Sequence, residues 1–209
     1  NESTLFKATD ADFKELIKRA HSLRVCITVA ADADVLATLQ DARRSLDEIQ
    51  RKIEDYLETK RAAFPRFYFL SNDELLSILS DVRNPRAVQP HLSKCFDSVN
   101  SLIFNNEAAT EINGMKSGEG EEVTFDKVVH PVGNVEMWLG VIEHTMKSSL
   151  HAHTRDAYEA YPNRVREEWF MDYPAQAIAA ADMMVYTAEV ELAISEHSLK
   201  AYLARYKDQ

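Results

Sequence analysis

Glycine and proline are scarce in these 209 residues, at 5 and 6. That argues against turn-rich β architectures and long flexible linkers. Cysteine occurs only at Cys26 and Cys95, far apart and each among apolar neighbours. The pattern predicts buried, reduced thiols in an intracellular protein and lends no support to a disulfide framework. No run approaches the roughly 18 consecutive apolar residues of a membrane helix. Residues 1–10 lack the charged-then-apolar signature of a signal peptide, so the sequon Asn1-Glu2-Ser3 reads as chance. Basic residues are the minority, 24 Lys and Arg against 34 Asp and Glu, for a net charge of −10. An acidic surface argues against broad nucleic-acid binding, which needs a basic face for phosphates, and against docking on anionic lipid.

What is present is helical pattern. The chain is 45% hydrophobic and 28% charged, as expected for one or two soluble globular units. Residues 12–20 read as a short helix, and 23–29 are apolar and β-branched, where helix and strand compete. Asp32 or Asp34 then opens a long helix with Val35, Leu39, Ala42, Leu46, Ile49, Ile53 and Tyr56 in steps of four and three. Such a stripe predicts packing along a partner helix at a shallow angle. The helix stops at Pro65, a short aromatic strand is predicted over 67–70, and Ser71 with Glu74 has capping-box spacing for a new helix over 73–79. Two prolines break residues 84–90, and Pro90 is placed as the first residue of a helix over 91–103. Residues 111–116 and 121–129 flank Ser117-Gly118-Glu119-Gly120 and read as a hairpin, with 67–70 as its third strand. Long helices over 134–160 and 174–206 follow, with a short one around Trp169 between them. The first carries Val135, Trp138, Leu139, Ile142, Met146, Leu150 and Ala157 inward. The last carries Ile178, Ala181, Val185, Ala188, Leu192, Ser195, Leu199, Tyr202 and Tyr206. The predicted class is mainly α: an elongated rod of long helices in bundles with a small antiparallel hairpin or sheet insertion. With no capping signal at Gln209, the chain is expected to continue beyond it.

Chemistry is hard to find. His144, His151 and His153 suggest a metal cluster, but His151 and His153 point apart on a helix and His144 sits two turns from His151, roughly 10 Å away. A metal-dependent hydrolase built on His144 and His151 is therefore a weak reading. Three glutamates surround the only Gly-x-Gly, which would repel phosphate, so a hairpin turn is the better reading. No nucleophile elbow or supported Cys-His pair appears. No catalytic, cofactor-binding or metal residue is assigned.

The run Lys60-Arg61-Ala62-Ala63-Phe64-Pro65-Arg66-Phe67-Tyr68-Phe69-Leu70-Ser71-Asn72-Asp73-Glu74-Leu75-Leu76 resembles the linker region of dynein heavy chains, which has these elements in this order. Val88-Gln89-Pro90-His91-Leu92-Ser93-Lys94-Cys95-Phe96 is similar to a later segment of that family. So are Glu119-Gly120-Glu121 in the hairpin, Val135-Glu136-Met137-Trp138-Leu139, Pro174-Ala175-Gln176 and Val190-Glu191-Leu192-Ala193-Ile194. The flavour is that of an axonemal (ciliary) chain. The resemblance implies one linker fragment over 1–209, in three parts: N-terminal helices (1–64), a middle part with the sheet (65–133), and long helices (134–209). It implies a lever between the cargo-binding tail and a ring of AAA+ modules, with ATP and Mg bound elsewhere in the full motor. The implied partners are that ring, the tail with intermediate and light chains, and microtubules through the full motor; no nucleic acid or membrane is implied. The implied location is the cytoskeleton of the cytoplasm and the axoneme of a cilium or flagellum. Hinge candidates are Pro65, Pro85, Pro90, Pro131 and Gly133. Ile112, Met115, Glu119, Glu121, Val123 and Phe125 are candidates for a docking hairpin. The rival reading is a spectrin-like helical scaffold without a motor role.

Overall fold

The computed structural model describes residues 2–81, 84–105 and 108–207, apart from the side chains of Cys26 and Lys207. Asn1 and Gln209, on which two expectations fell, lie outside them, as does the Cys26 side chain. The described residues are mainly α with one small sheet. It divides into two compact units, Asn1–Ala62 and Ala63–Gln209.

In the first unit, helix α1 (Glu2–Leu23) is longer than the pattern over 12–20 indicates, and α2 (Cys26–Ala30) settles the ambiguous stretch as helix. α1 ends where Arg24 takes φ +56° and its N–H reaches the Ala20 carbonyl at 3.2 Å. Helix α3 (Ala33–Ala63) is opened by Asp32, whose Oδ1 accepts from the Asp34 N–H at 3.0 Å. Ion pairs of Lys52 with Glu2 at 3.5 Å and of Arg19 with Asp32 set α1 and α3 antiparallel. Of the predicted stripe, Ile49 is buried and Val35 and Ala42 are half-buried, but Leu39 and Leu46 are exposed. Thr38 and Ser45 take the half-buried places instead.

The second unit corrects three expectations. Residues 67–70 are not a strand. Pro65 opens a 3₁₀ turn, Pro65–Phe69, in which the Phe67 N–H donates to Phe64 and the Leu70 N–H to Phe67, at 3.0 and 3.1 Å. Phe64, Phe67 and Leu70 are buried whereas Tyr68 and Phe69 are exposed. The inward period is three, which matches 3₁₀ geometry and not the alternation of a strand. Ser71 and Glu74 then form the expected capping box on α4 (Asn72–Ser80). Lys94 and the Ser71 backbone hold the Glu74 carboxyl down to about 2.

Nor is 91–103 one helix. A second 3₁₀ turn, Pro85–His91, takes in Pro90, and α5 (Leu92–Cys95) is a single turn. Ser98 takes φ +63° and the chain enters strand β1 (Val99–Phe104). β1 is the third strand of the sheet. The β-branched Val99 and Ile103 suit a pleated surface better than a helix. The predicted hairpin is present as β2 (Ile112–Ser117) and β3 (Glu122–Val129), and the order is β1-β2-β3, antiparallel throughout. Gly120, at φ +96°, closes the turn, where the Ser117 N–H donates to the Glu121 carbonyl at 2.9 Å.

Helix α6 (Val135–Ala160) follows, with Val135, Trp138, Leu139, Ile142, Met146 and Ala157 buried as the pattern indicates and Leu150 half-buried. α7 (Arg166–Asp172) leads to α8 (Ala175–Ser195), which lies against α6. Ala157, Trp169, Ile178 and Ala181 form a buried cluster there. The last helix is not continuous. The His197 N–H donates to Ile194 and the Ser198 N–H to Ala193, with His197 at φ +55°; α9 (Leu199–Lys207) then begins. This is a Schellman ending with histidine where glycine is usual. Left-handed backbone costs a non-glycine residue about 1 kcal/mol. His197→Gly is therefore expected to stabilise the chain by about 1 kcal/mol in a urea melt. A neutral or negative effect would show that the His197 side chain contributes a compensating interaction.

Candidate functional site

Among the described residues, no group of three His, Cys, Asp or Glu is placed to share a metal ion. His144 and His151 are exposed, and His153 turns a ring nitrogen to the Thr124 carbonyl at 3.3 Å. Cys95 is a buried free thiol, pushed up to about 11 by burial, which makes it a poor nucleophile. Among the described residues, no helix is long and apolar enough to cross a membrane.

What the second unit does build is a tightly seated hairpin. Each edge strand of the sheet is tied to a neighbouring segment by side-chain hydrogen bonds. On β1, the Gln89 side-chain amide donates to the Leu102 carbonyl and accepts from the Leu102 N–H, both at 2.9 Å. On β3, the Asp126 N–H donates to Ser149 Oγ at 2.9 Å. The Ser148 and Ser149 hydroxyls in turn donate to the Asp126 carboxylate at 2.5 and 2.9 Å and hold it below the usual carboxylate range. The tip is also engaged: Glu121 Oε1 accepts from the Ala175 N–H at 2.8 Å. A carboxylate at the first turn of α8 meets the positive end of the helix dipole.

Two guanidinium groups lock the helices around this sheet. Arg66 donates to the Cys95 carbonyl at 2.9 Å and to Glu143 Oε1 at 3.3 Å, and lies 4.8 Å from the centre of the Phe96 ring. It thereby joins the first 3₁₀ turn, α5 and α6. Glu143, which also takes Lys147 at 2.7 Å, has its acidity raised by Lys147 first and Arg66 second. Arg166 donates to Tyr161 Oη and Asp182 Oδ1, both at 2.6 Å, and lies over Phe170. It joins the end of α6 to α7 and α8. A half-exposed ion pair is worth about 1 kcal/mol at most. The value of these groups lies in fixed direction: a planar fork held at two acceptors and one ring face admits few orientations. Between Arg66 and the hairpin runs a groove of about 750 Å³, floored by Met115, Val123, Met146 and Leu150.

Residues 1–157 match the family described as "Dynein heavy chain, N-terminal region 2". The chain belongs to the dynein heavy chain family. It is 42% identical over 202 residues, 97% of its length, to "Dynein axonemal heavy chain 1" of Rattus norvegicus and of Homo sapiens. It is 38% identical over 212 residues, 96% of its length, to "Dynein beta chain, ciliary" of Heliocidaris crassispina. It spans only 4 to 5% of the length of these relatives.

Against the geometry of this dynein heavy chain segment, the docking candidates divide. Ile112, Met115 and Val123 are buried and seat the hairpin on the rest of the unit. Phe125 is half-buried, Glu121 is committed to α8, and Glu119 is exposed at the tip. The hinge candidates fall at junctions. Pro65 and Pro85 each open a 3₁₀ turn, Pro90 lies inside the second of these, which corrects its placement at the start of a helix, and Pro131 and Gly133 lie between β3 and α6. Gly133, at φ +84°, has nothing within 4 Å of where a Cβ would be. Arg66, Gln89, Asp126 and Arg166 escaped the sequence reading as site residues. The signal for Arg66 was a cation set between Phe64 and Phe67; the others have none, because their partners lie on other elements.

Proposed function

We propose that this segment is part of the mechanical linker of a dynein motor. In this reading it is a lever that couples ATP hydrolysis in the AAA+ ring, elsewhere in the heavy chain, to movement along microtubules in the axoneme of a cilium or flagellum. Its partners are then the ring of the same heavy chain and the tail with its intermediate and light chains. The nucleotide and Mg belong to the ring, so this segment transmits force and performs no chemistry. The observation that carries the reading is the hairpin tied at both rims and at its tip, set among helices locked by Arg66 and Arg166. A lever must hand on a displacement without absorbing it, and close-packed, directionally bonded junctions deform little. Bending would fall at the junctions that carry Pro65, Pro85, Pro90, Pro131 and Gly133, because hinges are a few element-terminal residues. The exposed hairpin tip around Glu119 would touch the ring.

The test deletes residues 60–206 from the full-length heavy chain and measures microtubule gliding together with basal ATP hydrolysis. The expected result is hydrolysis retained and gliding abolished. Gliding at an unchanged rate would overturn the reading.

A further inference from the structure

We infer that the junction of α8 and α9 is a two-state element, at which α9 either folds back on α8, as in this structure, or continues it as one helix over 175–207. The inference lies outside the proline junctions named above and does not rest on the lever reading. It starts from a conflict between sequence and backbone. The helical stripe runs through the break without a change of phase, at Ala181, Val185, Ala188, Leu192, Ser195, Leu199, Tyr202 and Tyr206. No glycine or proline stands between Ala175 and Lys207. A helix that has to end usually carries one or the other at its stop. Here the chain turns back through one left-handed residue, His197 at φ +55°, next to Glu196 at φ −87° and ψ 1°. Helical angles at 196–198 would join α8 and α9 with the stripe in register.

The folded-back state is held shallowly. Of residues 199–206 only Tyr202 is buried, whereas Leu199 and Leu203 stay 36 and 40% exposed. The contact is a cluster of rings: Tyr186 lies 6.3 Å from Tyr202 and 5.2 Å from Tyr206, and Arg166 sits over Tyr206 at 5.8 Å. Two features oppose it. Left-handed backbone disfavours a residue that carries a Cβ. Tyr202 Oη is enclosed and finds no partner in hydrogen-bonding geometry; burial first, and the Glu189 carboxylate second, push it up to about 12. A buried hydroxyl left unpaired is costly. Straightening relieves both, because it returns His197 to ordinary angles and Tyr202 to water, and it gives up the ring cluster. Opposed terms within one short element are what a bistable segment requires. The swing carries the end of α9 from beside α8 to about 15 Å beyond it.

The experiment puts p-acetylphenylalanine in place of Ala180 and Ala204, both exposed, in the full-length heavy chain. A ketone-reactive nitroxide is attached to each, and their separation is read by double electron–electron resonance. Retained ATP hydrolysis shows that each variant has folded. Folding back puts the two positions about 18 Å apart, and a continuous helix puts them about 36 Å apart. The expected result is both distances. His197→Gly, which suits the left-handed residue, lowers the long one about fivefold, and His197→Ala, which suits the helix, raises it. Tyr202→Phe, which removes the enclosed hydroxyl, is expected to act as His197→Gly does. Distances that the two His197 substitutions leave in place, or shift the opposite way, overturn the proposal. Gliding retained after deletion of residues 60–206 would overturn the lever reading and leave these distances unchanged.

Discussion

Trp169→Ala is expected to lower the unfolding free energy by about 4 kcal/mol, the range for emptying a buried aromatic site. Trp169 is buried among Ala157, Ile178 and Ala181, with Tyr161 edge-on at 5.2 Å. The small residues around it decide the size of the effect. Alanines cannot swing into the space, so the cavity persists and its full cost is felt. A second loss comes from the indole N–H, which donates to the Ala157 carbonyl at 2.8 Å near the end of α6. Trp169→Phe keeps the ring and forfeits that bond, and is expected to cost about 2 kcal/mol. The check is the urea midpoint of the 209-residue chain at constant slope. A loss under about 1 kcal/mol for Trp169→Ala would mean that α6, α7 and α8 collapse onto the gap, and that this junction is softer than its packing indicates.

Gly114→Ala is expected to cost about 2–3 kcal/mol, because overpacking against backbone has no side chain to yield. A Cβ on Gly114 would sit 2.5 Å from the Val123 carbonyl oxygen on the paired strand. The register already slips between Ile112 and Gly114, so the close approach belongs to the way β2 and β3 fit together. Gly118 at the turn is the internal control: nothing lies within 4 Å of its added Cβ, and Gly118→Ala should stay within about 0.5 kcal/mol of the parent. Equal effects at the two positions would contradict the register. The functional corollary concerns Glu121. A hairpin forced apart at Gly114 loses its grip on the first turn of α8, so gliding in the full-length motor should fall along with stability.

The sequence was most legible where local chemistry and tertiary packing agreed. The capping box at Ser71 and Glu74, the turn at Gly120 and the inward stripe of α6 follow from residues a few positions apart, and all are present. It was least legible where a short apolar run fits two periods. Phe64, Phe67 and Leu70 share a spacing of three, but the aromatic content of 67–70 favours a strand on propensity alone; Pro65, which fixes φ and lacks an N–H, tips the balance to 3₁₀. The heptad run through 174–206 concealed the break at His197, since no glycine stands there to announce it. The functional reading had a different source. Family likeness supplied it, while Gln89 and Arg166 owe their roles to partners 13 and 16 residues away that no local pattern pairs with them.

The side-chain ties on the two edge strands bear on how the sheet forms during synthesis. A strand with free N–H and C=O groups invites another strand, and the nearest candidates during synthesis are neighbouring nascent chains on the same message. Gln89 takes both backbone groups of Leu102 with a side chain only 13 residues upstream, so that point of the β1 edge can be covered as soon as it emerges. β3 must wait for Ser149 and His153, 23 and 29 residues further on. Between those two moments the hairpin has one adhesive side, and that interval is when this segment is most exposed to aggregation.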